Sequence, residues 1–175
     1  DNTIIIFTSD NGYHLGEKDC IQKWHLWDES TRIPMLIHVP NNTGNGQTCN
    51  HPVSHIDLYP TLIDLCNLPM QPHKDKKLDG HSLSPFLANP DANWSGPSVA
   101  LMAIRDAQET PHFSVCSNQY RYTLCSNGEE EFYDHNTDPH EWTNLATNEA
   151  HTAIKNELRK ELMDLLRESK IPEGY

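Results

Sequence analysis

The sequence predicts an α/β fold whose last part is a small antiparallel β-sheet followed by a long C-terminal helix. Three observations predict it. A continuous apolar, β-branched run occupies residues 4–7, short strand-like segments separated by turn residues follow residue 98, and apolar residues recur at helical spacing beyond residue 148. The chain has 175 residues, of which 36% are hydrophobic, and this is enough to bury a core.

Two apolar runs in the first quarter of the chain predict buried strands. The first, residues 4–7, does not alternate between apolar and polar side chains, which is typical of a strand covered on both faces in the parallel sheet of an α/β protein. The second, residues 33–40, has prolines near both ends, where a strand tolerates them. The polar residues 8–12 are then expected at the carboxyl end of the first strand.

A helix and a long connection follow these strands. Leucines at helical spacing over residues 58–65 predict the helix, with Asp57 or a neighbour at its N-cap and Pro60 in its first turn. Residues 67–98 are rich in Pro, Asn, Asp and Gly, and this composition predicts an extended surface connection.

From residue 98 the pattern changes to short strands and turns. The predicted strands are residues 99–104, 113–116, 120–125 and 131–133. An amphipathic helix is predicted over residues 148–168, because its apolar positions lie three or four residues apart. We therefore divide the chain into an α/β part, residues 1–97, and a sheet-and-helix part, residues 98–175.

Charge and hydropathy exclude two classes of partner. The chain carries 13 basic and 25 acidic residues, a formal net charge of −12, which opposes binding to nucleic acid or to an anionic membrane surface. No apolar run approaches the ~20 residues of a membrane-spanning helix. The chain begins with Asp1 rather than methionine and enters an apolar run at once, which we interpret as the start of a fragment or of a processed chain.

The five cysteines are odd in number and lie in no C-x-x-C arrangement, so they indicate neither a zinc site nor a disulfide scaffold. Cys116 and Cys125 could approach each other across a hairpin, but the spacing alone does not supply the register that a disulfide needs. Unpaired thiols are therefore the expected state.

Asp10 and Asn11 are adjacent oxygen-bearing side chains at the predicted end of a buried strand, where open α/β sheets place their ligands. Carboxylate and amide oxygens are the ligands that calcium and magnesium favour. The alternative is a simple turn, because Asn-Gly is a strong turn signal and Asp often caps its own backbone. The apolar, non-alternating strand before these residues favours the metal site.

Lys23 lies twelve residues beyond Asn11, close enough along the chain for its ammonium to return towards such a metal. A lysine in that place can hold a sulfate or phosphate oxygen as a point charge. Read alone, Lys23 is better explained as an ordinary solvated surface lysine, and only the surrounding pattern favours the anion contact.

Two segments carry a family resemblance: residues 8–18, TSDNGYHLGEK, and residues 23–34, KWHLWDESTRIP. They closely resemble the type I sulfatase family of the alkaline-phosphatase-like superfamily, in particular members similar to iduronate-2-sulfatase and choline-sulfatase. The resemblance extends to further short stretches in the same order, which are SHIDLYPTL at 54–62, LDGHSL at 78–83, YRYT at 120–123, EFYD at 131–134 and DPHEWTNLA at 138–146.

The resemblance implies roles for individual residues. In the family, the Asp and the Asn or His of the S-D-[NH]-G motif ligate calcium, and the Lys before the L-[WY]-[DE] segment contacts the sulfate. These roles fall on Asp10, Asn11 and Lys23. Tyr13 and His14 follow the metal motif directly and are candidates for contact with the substrate or its leaving group, with loop packing as the alternative.

The resemblance also implies what the chain lacks. The family's nucleophile is a formylglycine made from the Cys or Ser of a C/S-x-P-S-R motif, and none of the five cysteines begins such a motif. The expected function is therefore that of a sulfuric ester hydrolase fragment, which contributes calcium and sulfate contacts, lacks the nucleophile and is inactive alone. Its expected partners are the amino-terminal half of the same enzyme and a small sulfated carbohydrate or other sulfated alcohol. A periplasmic, secreted or lysosomal-like location is implied by the resemblance alone.

Two alternative functions stay open. One is a phosphodiesterase or phosphonate hydrolase of the same superfamily, which shares the sheet and the metal-binding strand end. The other is a non-catalytic chain that acts only by packing onto an amino-terminal partner. The residues upstream of Asp1 would discriminate the first alternative from a sulfatase, because they would contain the nucleophile. An assay of this chain alone with a chromogenic sulfate ester would test the second.

Overall fold

A computed structural model describes residues 2–69 and 78–169. These residues form two compact units. The first comprises the residues up to Thr8 together with Met35–Ser98, and the second comprises Ser9–Pro34 together with the residues from Val99 onward. The predicted domain division after residue 97 stays a prediction, but in the compact units the segment from Ser9 to Pro34 groups with the C-terminal sheet.

The first unit contains a two-stranded sheet. Strand β1 (Ile5–Thr8) pairs antiparallel with strand β2 (Met35–His38). Exposed and half-buried side chains alternate along both strands. The two strands predicted from the apolar runs are confirmed, but the expectation of β1 as a parallel strand covered on both faces is wrong within the described residues. An apolar run reports the hydrophobicity of a strand and not the direction of its partner.

The same unit contains two helices. Helix α2 (Leu58–Leu65) follows a 3₁₀ turn that begins with a capping box, in which Ser54 is the N-cap and Asp57 Oδ2 accepts a hydrogen bond from Ser54 N at 2.8 Å. Asp57 lies at the predicted N-cap position of α2, but its side chain makes no cap hydrogen bond to that helix. Helix α3 (Ser84–Ala88) lies in the segment that we expected to be an extended connection. Residues 70–77 of that connection lie outside the described residues.

The second unit is built on a four-stranded antiparallel sheet in the order β3-β4-β5-β6. Its strands are β3 (Ala100–Arg105), β4 (Pro111–Cys116), β5 (Tyr120–Leu124) and β6 (Glu130–Asp134). The short helix α1 (Asp28–Thr31) and the long helix α4 (Thr152–Glu168) belong to the same unit. The predicted antiparallel sheet and C-terminal helix are confirmed.

The core of the second unit lies between α4 and the sheet. It consists of side chains that alternate along the strands or follow helical spacing: Val99, Phe113, Val115, Tyr122, Phe132, Leu158 and Leu162. The two leucines come from α4, which is polar on its opposite face. The amphipathic pattern read from the sequence therefore marks the face that packs on the sheet.

All five cysteines are free thiols, as their spacing indicated. The register of β4 and β5 explains why Cys116 and Cys125 stay apart: Cys116 lies opposite Arg121, at the far end of the hairpin from Cys125. Across residues 2–69 and 78–169, every helix is too short or too polar to span a bilayer.

Candidate functional site

The predicted site residues all lie on one segment of the second unit, residues 9–27, which we call the site loop. Two backbone hydrogen bonds shape it. Gly12 N donates to Ser30 O at 2.9 Å, and His14 N donates to Gln22 O at 2.9 Å. The second bond places Tyr13 and His14 beside the segment that carries Lys23, so the loop brings the predicted substrate contacts and the predicted sulfate contact into one neighbourhood.

Gly12 allows the loop to run close to helix α1. A methyl group at this position would clash with the backbone carbonyl oxygen of Glu29. Only glycine permits this approach, because any other residue places a Cβ where the carbonyl already lies. Asn11 and Asp10, the predicted metal ligands, are thereby attached to the rigid start of α1 through their neighbour.

The Asp10 side chain is exposed, and Asn11 is half-buried. Ser9 Oγ donates to the backbone oxygen of Asn11 at 2.8 Å, so the turn is closed without using either predicted ligand side chain. In residues 2–69 and 78–169, neither the Asp10 carboxylate nor the Asn11 amide has an internal partner. Two adjacent oxygen ligands without an internal partner fit a hard cation such as calcium, although they supply only part of the ~6–8 oxygens that calcium takes.

Lys23 is exposed and forms no ion pair with the described part of the chain. By contrast, Lys160 pairs with Asp164 and Lys155 with Glu130, each at 2.7 Å. Without such a partner among the described residues, the charge of Lys23 is available for an anionic ligand.

Tyr13 and His14 differ sharply in accessibility. Tyr13 is 48% exposed, and its hydroxyl approaches the backbone oxygen of Ile21 at 3.5 Å. His14 is 1% exposed, and neither of its ring nitrogens has a hydrogen-bond partner within the described residues. Its ring lies edge-on to His25 and Trp27, with centroids 5.5 and 5.8 Å away. Tyr13 can reach a ligand directly, whereas His14 as placed here cannot.

A buried ion network lies next to the site loop, and residue patterns alone did not reveal it. Arg121 on β5 is 1% exposed; its Nε donates to Glu141 Oε1 at 2.6 Å and its Nη2 donates to Asp28 Oδ1 at 2.8 Å. Glu141 Oε2 also accepts from the backbone N of Asp28 at 2.9 Å. The network joins the start of α1 to the sheet, and so fixes the end of the site loop.

His135 completes this network. Its Nε2 lies 2.8 Å from Glu141 Oε1. Burial lowers the pKa of His135, but hydrogen bonds to Cys116 and Glu141 outweigh burial and raise the pKa to about 9. Burial alone would raise the pKa of Glu141. The hydrogen bond from His135 and the charge of Arg121 outweigh burial, so the pKa of Glu141 lies below its usual value. His135 and Arg121 are therefore two cations beside the Glu141 carboxylate, and Arg121 also binds Asp28 Oδ1.

Asp28, Cys116 and His135 lie close enough together to suggest a metal site, with one ligand atom of each within 4.8 Å of the others. The Arg121 guanidinium argues against that interpretation, because it already holds Asp28 Oδ1. A second cation there would face the guanidinium at short range in a buried setting. The cluster is better explained as part of the ion network.

Comparison with known proteins decides the family. Residues 16–168 match the family described as N-sulphoglucosamine sulphohydrolase, C-terminal. The chain belongs to this sulfatase family. The sulfatase resemblance read from the site-loop motifs is therefore confirmed.

Curated relatives of this sulfatase chain agree. It is 30% identical over 174 residues to an ulvan-active sulfatase of Formosa agariphila, covering 96% of the chain and 33% of the relative. It is also 30% identical over 148 residues to a choline-sulfatase of Rhizobium meliloti, covering 85% of the chain and 28% of that relative. The chain thus spans about a third of the length of the curated relatives that it matches.

Solved structures confirm the fold. A structure described as a complex with its substrate D-glucosamine-2-N,6-O-disulfate matches with a TM-score of 0.86 and 25% identity, over 99% of this chain and 36% of that one. The phosphonate monoester hydrolase of Agrobacterium radiobacter matches with a TM-score of 0.78 and 26% identity, over 94% of this chain and 35% of that one. The expected alkaline-phosphatase-like sulfatase fold is confirmed.

Proposed function

We propose that the chain is the carboxy-terminal part of a sulfuric ester hydrolase, and that its site loop supplies calcium and sulfate contacts. One observation carries the proposal. In a chain of the sulfatase family, Asp10, Asn11 and Lys23 lie on one loop with side chains that have no internal partner in the described residues. Polar groups left free in this way are available to a ligand.

Each residue has a distinct role in the proposal. Asp10 and Asn11 hold calcium through a carboxylate and an amide oxygen. When bound, calcium supplies Lewis-acid stabilisation of the sulfuryl oxygens. Lys23 places a positive charge against the same oxygens, where negative charge develops in the transition state. Tyr13, with its exposed ring and hydroxyl, contacts the substrate. The buried His14 packs against His25 and Trp27 and so stabilises the loop.

The nucleophile belongs to sequence outside this chain. We expect a formylglycine on an amino-terminal part of the same enzyme, together with the remaining calcium ligands. The chain spans about a third of its curated relatives, which leaves ample length for such a part. We therefore expect this chain to have no turnover alone.

A sulfated carbohydrate is the proposed substrate class. It is supported by a relative named N-acetylglucosamine-6-O-sulfatase, which is 30% identical over 176 residues, and by the glucosamine disulfate named with the structural neighbour. A periplasmic, secreted or lysosomal-like location also remains a proposal, drawn from the family resemblance.

The phosphonate monoester hydrolase neighbour favours one alternative, hydrolysis of a phosphonate or phosphodiester. Both chemistries need a cation and a lysine against the anion, so Asp10, Asn11 and Lys23 suit either. A chain that acts only by packing on an amino-terminal partner is the other alternative. It predicts that no substitution in the site loop changes the turnover of the assembled enzyme.

One experiment separates the sulfatase from the phosphonate or phosphodiester hydrolase and tests whether the nucleophile lies outside this chain. The full-length protein is assayed with matched aryl sulfate, phosphonate and phosphodiester substrates, and this chain is assayed alone with the aryl sulfate. We expect the sulfate to be the best substrate of the full-length protein and no turnover by the chain alone. A preference for the phosphonate or phosphodiester would replace the sulfatase proposal, and turnover by the chain alone would contradict the missing nucleophile.

Calcium binding is tested separately by calorimetric titration of the full-length protein with CaCl₂. Asp10→Asn removes one negative ligand but keeps the size of the side chain, and we expect at least a tenfold weaker calcium affinity. Asp164→Asn on helix α4 is the matched control and should bind calcium as the unmodified protein does. Equal affinity of the Asp10 variant would remove this residue from the site.

A further inference from the structure

We infer that Lys18 is a positioning residue, which fixes the tip of the site loop on the C-terminal sheet and thereby sets the place of Lys23. The inference rests on the proposed role of Lys23, but the anchoring itself can be measured independently. Lys18 lies five residues before Lys23. The contacts of its ammonium are to Trp27, Tyr133 and Glu141.

The Lys18 ammonium lies between two aromatic rings of the second unit. Its Nζ is 4.3 Å from the ring centroid of Trp27 and 4.6 Å from that of Tyr133 on β6. Both distances lie within the range of a cation–π interaction. Trp27 is itself fixed, because its indole N donates to Glu131 Oε2 at 2.7 Å. The site loop is therefore attached to β6 by the Tyr133 ring and by the bond from Trp27 to Glu131, and the two rings form an aromatic cage around the Lys18 ammonium.

Hydrogen bonds define the position of the ammonium within the cage. Lys18 Nζ donates to the hydroxyl of Tyr133 at 3.1 Å and also to the backbone oxygen of Glu141. The carboxylate of Glu141 belongs to the buried ion network with Arg121. Lys18 thus attaches the loop to a residue that is itself held by the buried ion network.

The backbone at Lys18 shows that this attachment works against local preference. Lys18 has φ 54° and ψ 29°, and Asp19 has φ 57°. Two successive non-glycine residues in the left-handed region are unfavourable, and such a conformation persists only where tertiary contacts hold it. The caged side chain of Lys18 is a contact of that kind.

Among residues 2–69 and 78–169, few other contacts hold the segment 15–24 of the site loop. None of residues 15–24 is buried, and Leu15, Ile21 and Trp24 are largely exposed. The indole N of Trp24 donates to the backbone oxygen of Arg105 at 3.2 Å, and this bond holds the C-terminal end of the segment. Because burial stabilises this segment so little, loss of the Lys18 cage should release the chain between His14 and Trp24, and Lys23 with it.

The test compares Lys18→Met with Lys18→Arg in the full-length protein. Methionine keeps an unbranched, mostly aliphatic chain but removes the charge and the donors, whereas arginine keeps both and stacks on aromatic rings. Lys160→Met on the surface of α4 is the matched control. The readouts are hydrogen exchange of the amides of residues 13–24 and of strands β4 and β5, together with kcat and KM for an aryl sulfate.

With Lys18→Met we expect at least tenfold faster exchange in residues 13–24, unchanged exchange in β4 and β5, and a kcat/KM at least tenfold lower, mainly through kcat. Lys18→Arg should keep most of the slow exchange in residues 13–24 and most of the kcat/KM of the unmodified protein. Unchanged exchange in the loop would overturn the anchoring. Equally faster exchange in the sheet, or a loosened loop with normal kcat/KM, would overturn the positioning role. If the unmodified protein hydrolyses no sulfate ester, the proposed function fails, while the exchange data still decide the anchoring.

Discussion

Arg121 and Glu141 form an ion pair in which Nε lies 2.6 Å from Oε1 and both side chains are 1% exposed. The pair connects β5 to the turn after β6, and Asp28 at the start of helix α1 shares the guanidinium at 2.8 Å. A buried ion pair of this kind contributes little net stability compared with apolar packing, but loss of one partner is costly. This asymmetry allows a direct prediction.

Arg121→Met should destabilise the chain strongly, because it leaves Asp28 and Glu141 buried without their shared cation. We expect a loss of about 3–5 kcal/mol in the free energy of unfolding, measured by urea denaturation. Arg167→Met is the control, since its ion pair with Asp164 is exposed and worth no more than about 1 kcal/mol. A loss of under 1 kcal/mol with Arg121→Met would show that the network does not hold the two segments together.

Stability should fall as the pH rises from about 6.5 to about 9. Although burial lowers the pKa of His135, Cys116 and Glu141 raise it to about 9. A raised folded-state pKa adds stability that is complete below the unfolded pKa of about 6.5 and disappears as the pH rises through 9.

Denaturation curves at several pH values check this expectation, with His135→Gln as the comparison. The variant should be less stable at pH 6 and should show a flatter profile between pH 6.5 and 9. Identical slopes for the two proteins would mean that His135 is not charged in the folded state at neutral pH.

Leu162→Ala should cost about 2–5 kcal/mol of unfolding free energy, because Leu162 is fully buried between α4 and the sheet and alanine would leave a cavity. Leu15→Ala removes the same atoms from a side chain that is 78% exposed, so it should change stability by less than about 0.5 kcal/mol. Urea denaturation of both variants measures the difference. Similar effects of the two substitutions would contradict the assignment of the core.

Much of the fold could be predicted because its signals are local. The strands of the second unit are short apolar segments, the turns after β4 and β5 contain Asn or Gly, and helix α4 shows an apolar stripe, so the predicted bounds were close to those observed. Helix α3 was missed because its five residues lie among Pro and Asn, which conceal a single helical turn. The antiparallel pairing of β1 with β2 could not be read from two apolar runs, because 26 residues separate the strands and an apolar run does not indicate the direction of its partner.

The candidate site, like the fold, could be predicted only in part. Asp10, Asn11 and Lys23 were identified from short motifs, and their ligand roles remain predictions. The ion network was not identified because Asp28 and Arg121 are 93 positions apart in sequence, and a charged residue within a strand pattern ordinarily indicates an exposed face. The cage of Lys18 joins residues 115 positions apart and was hidden for the same reason.

The central claim is that the site loop carries the charge-stabilising part of a sulfatase active site. Its most direct test is kcat/KM of the full-length protein for an aryl sulfate with Lys23→Ala, compared with Lys160→Ala, in buffer containing calcium. We predict a loss of about 10²-fold or more for the Lys23 variant at an unchanged melting temperature, and no loss for the Lys160 variant. Equal kcat/KM for the two variants would contradict the claim.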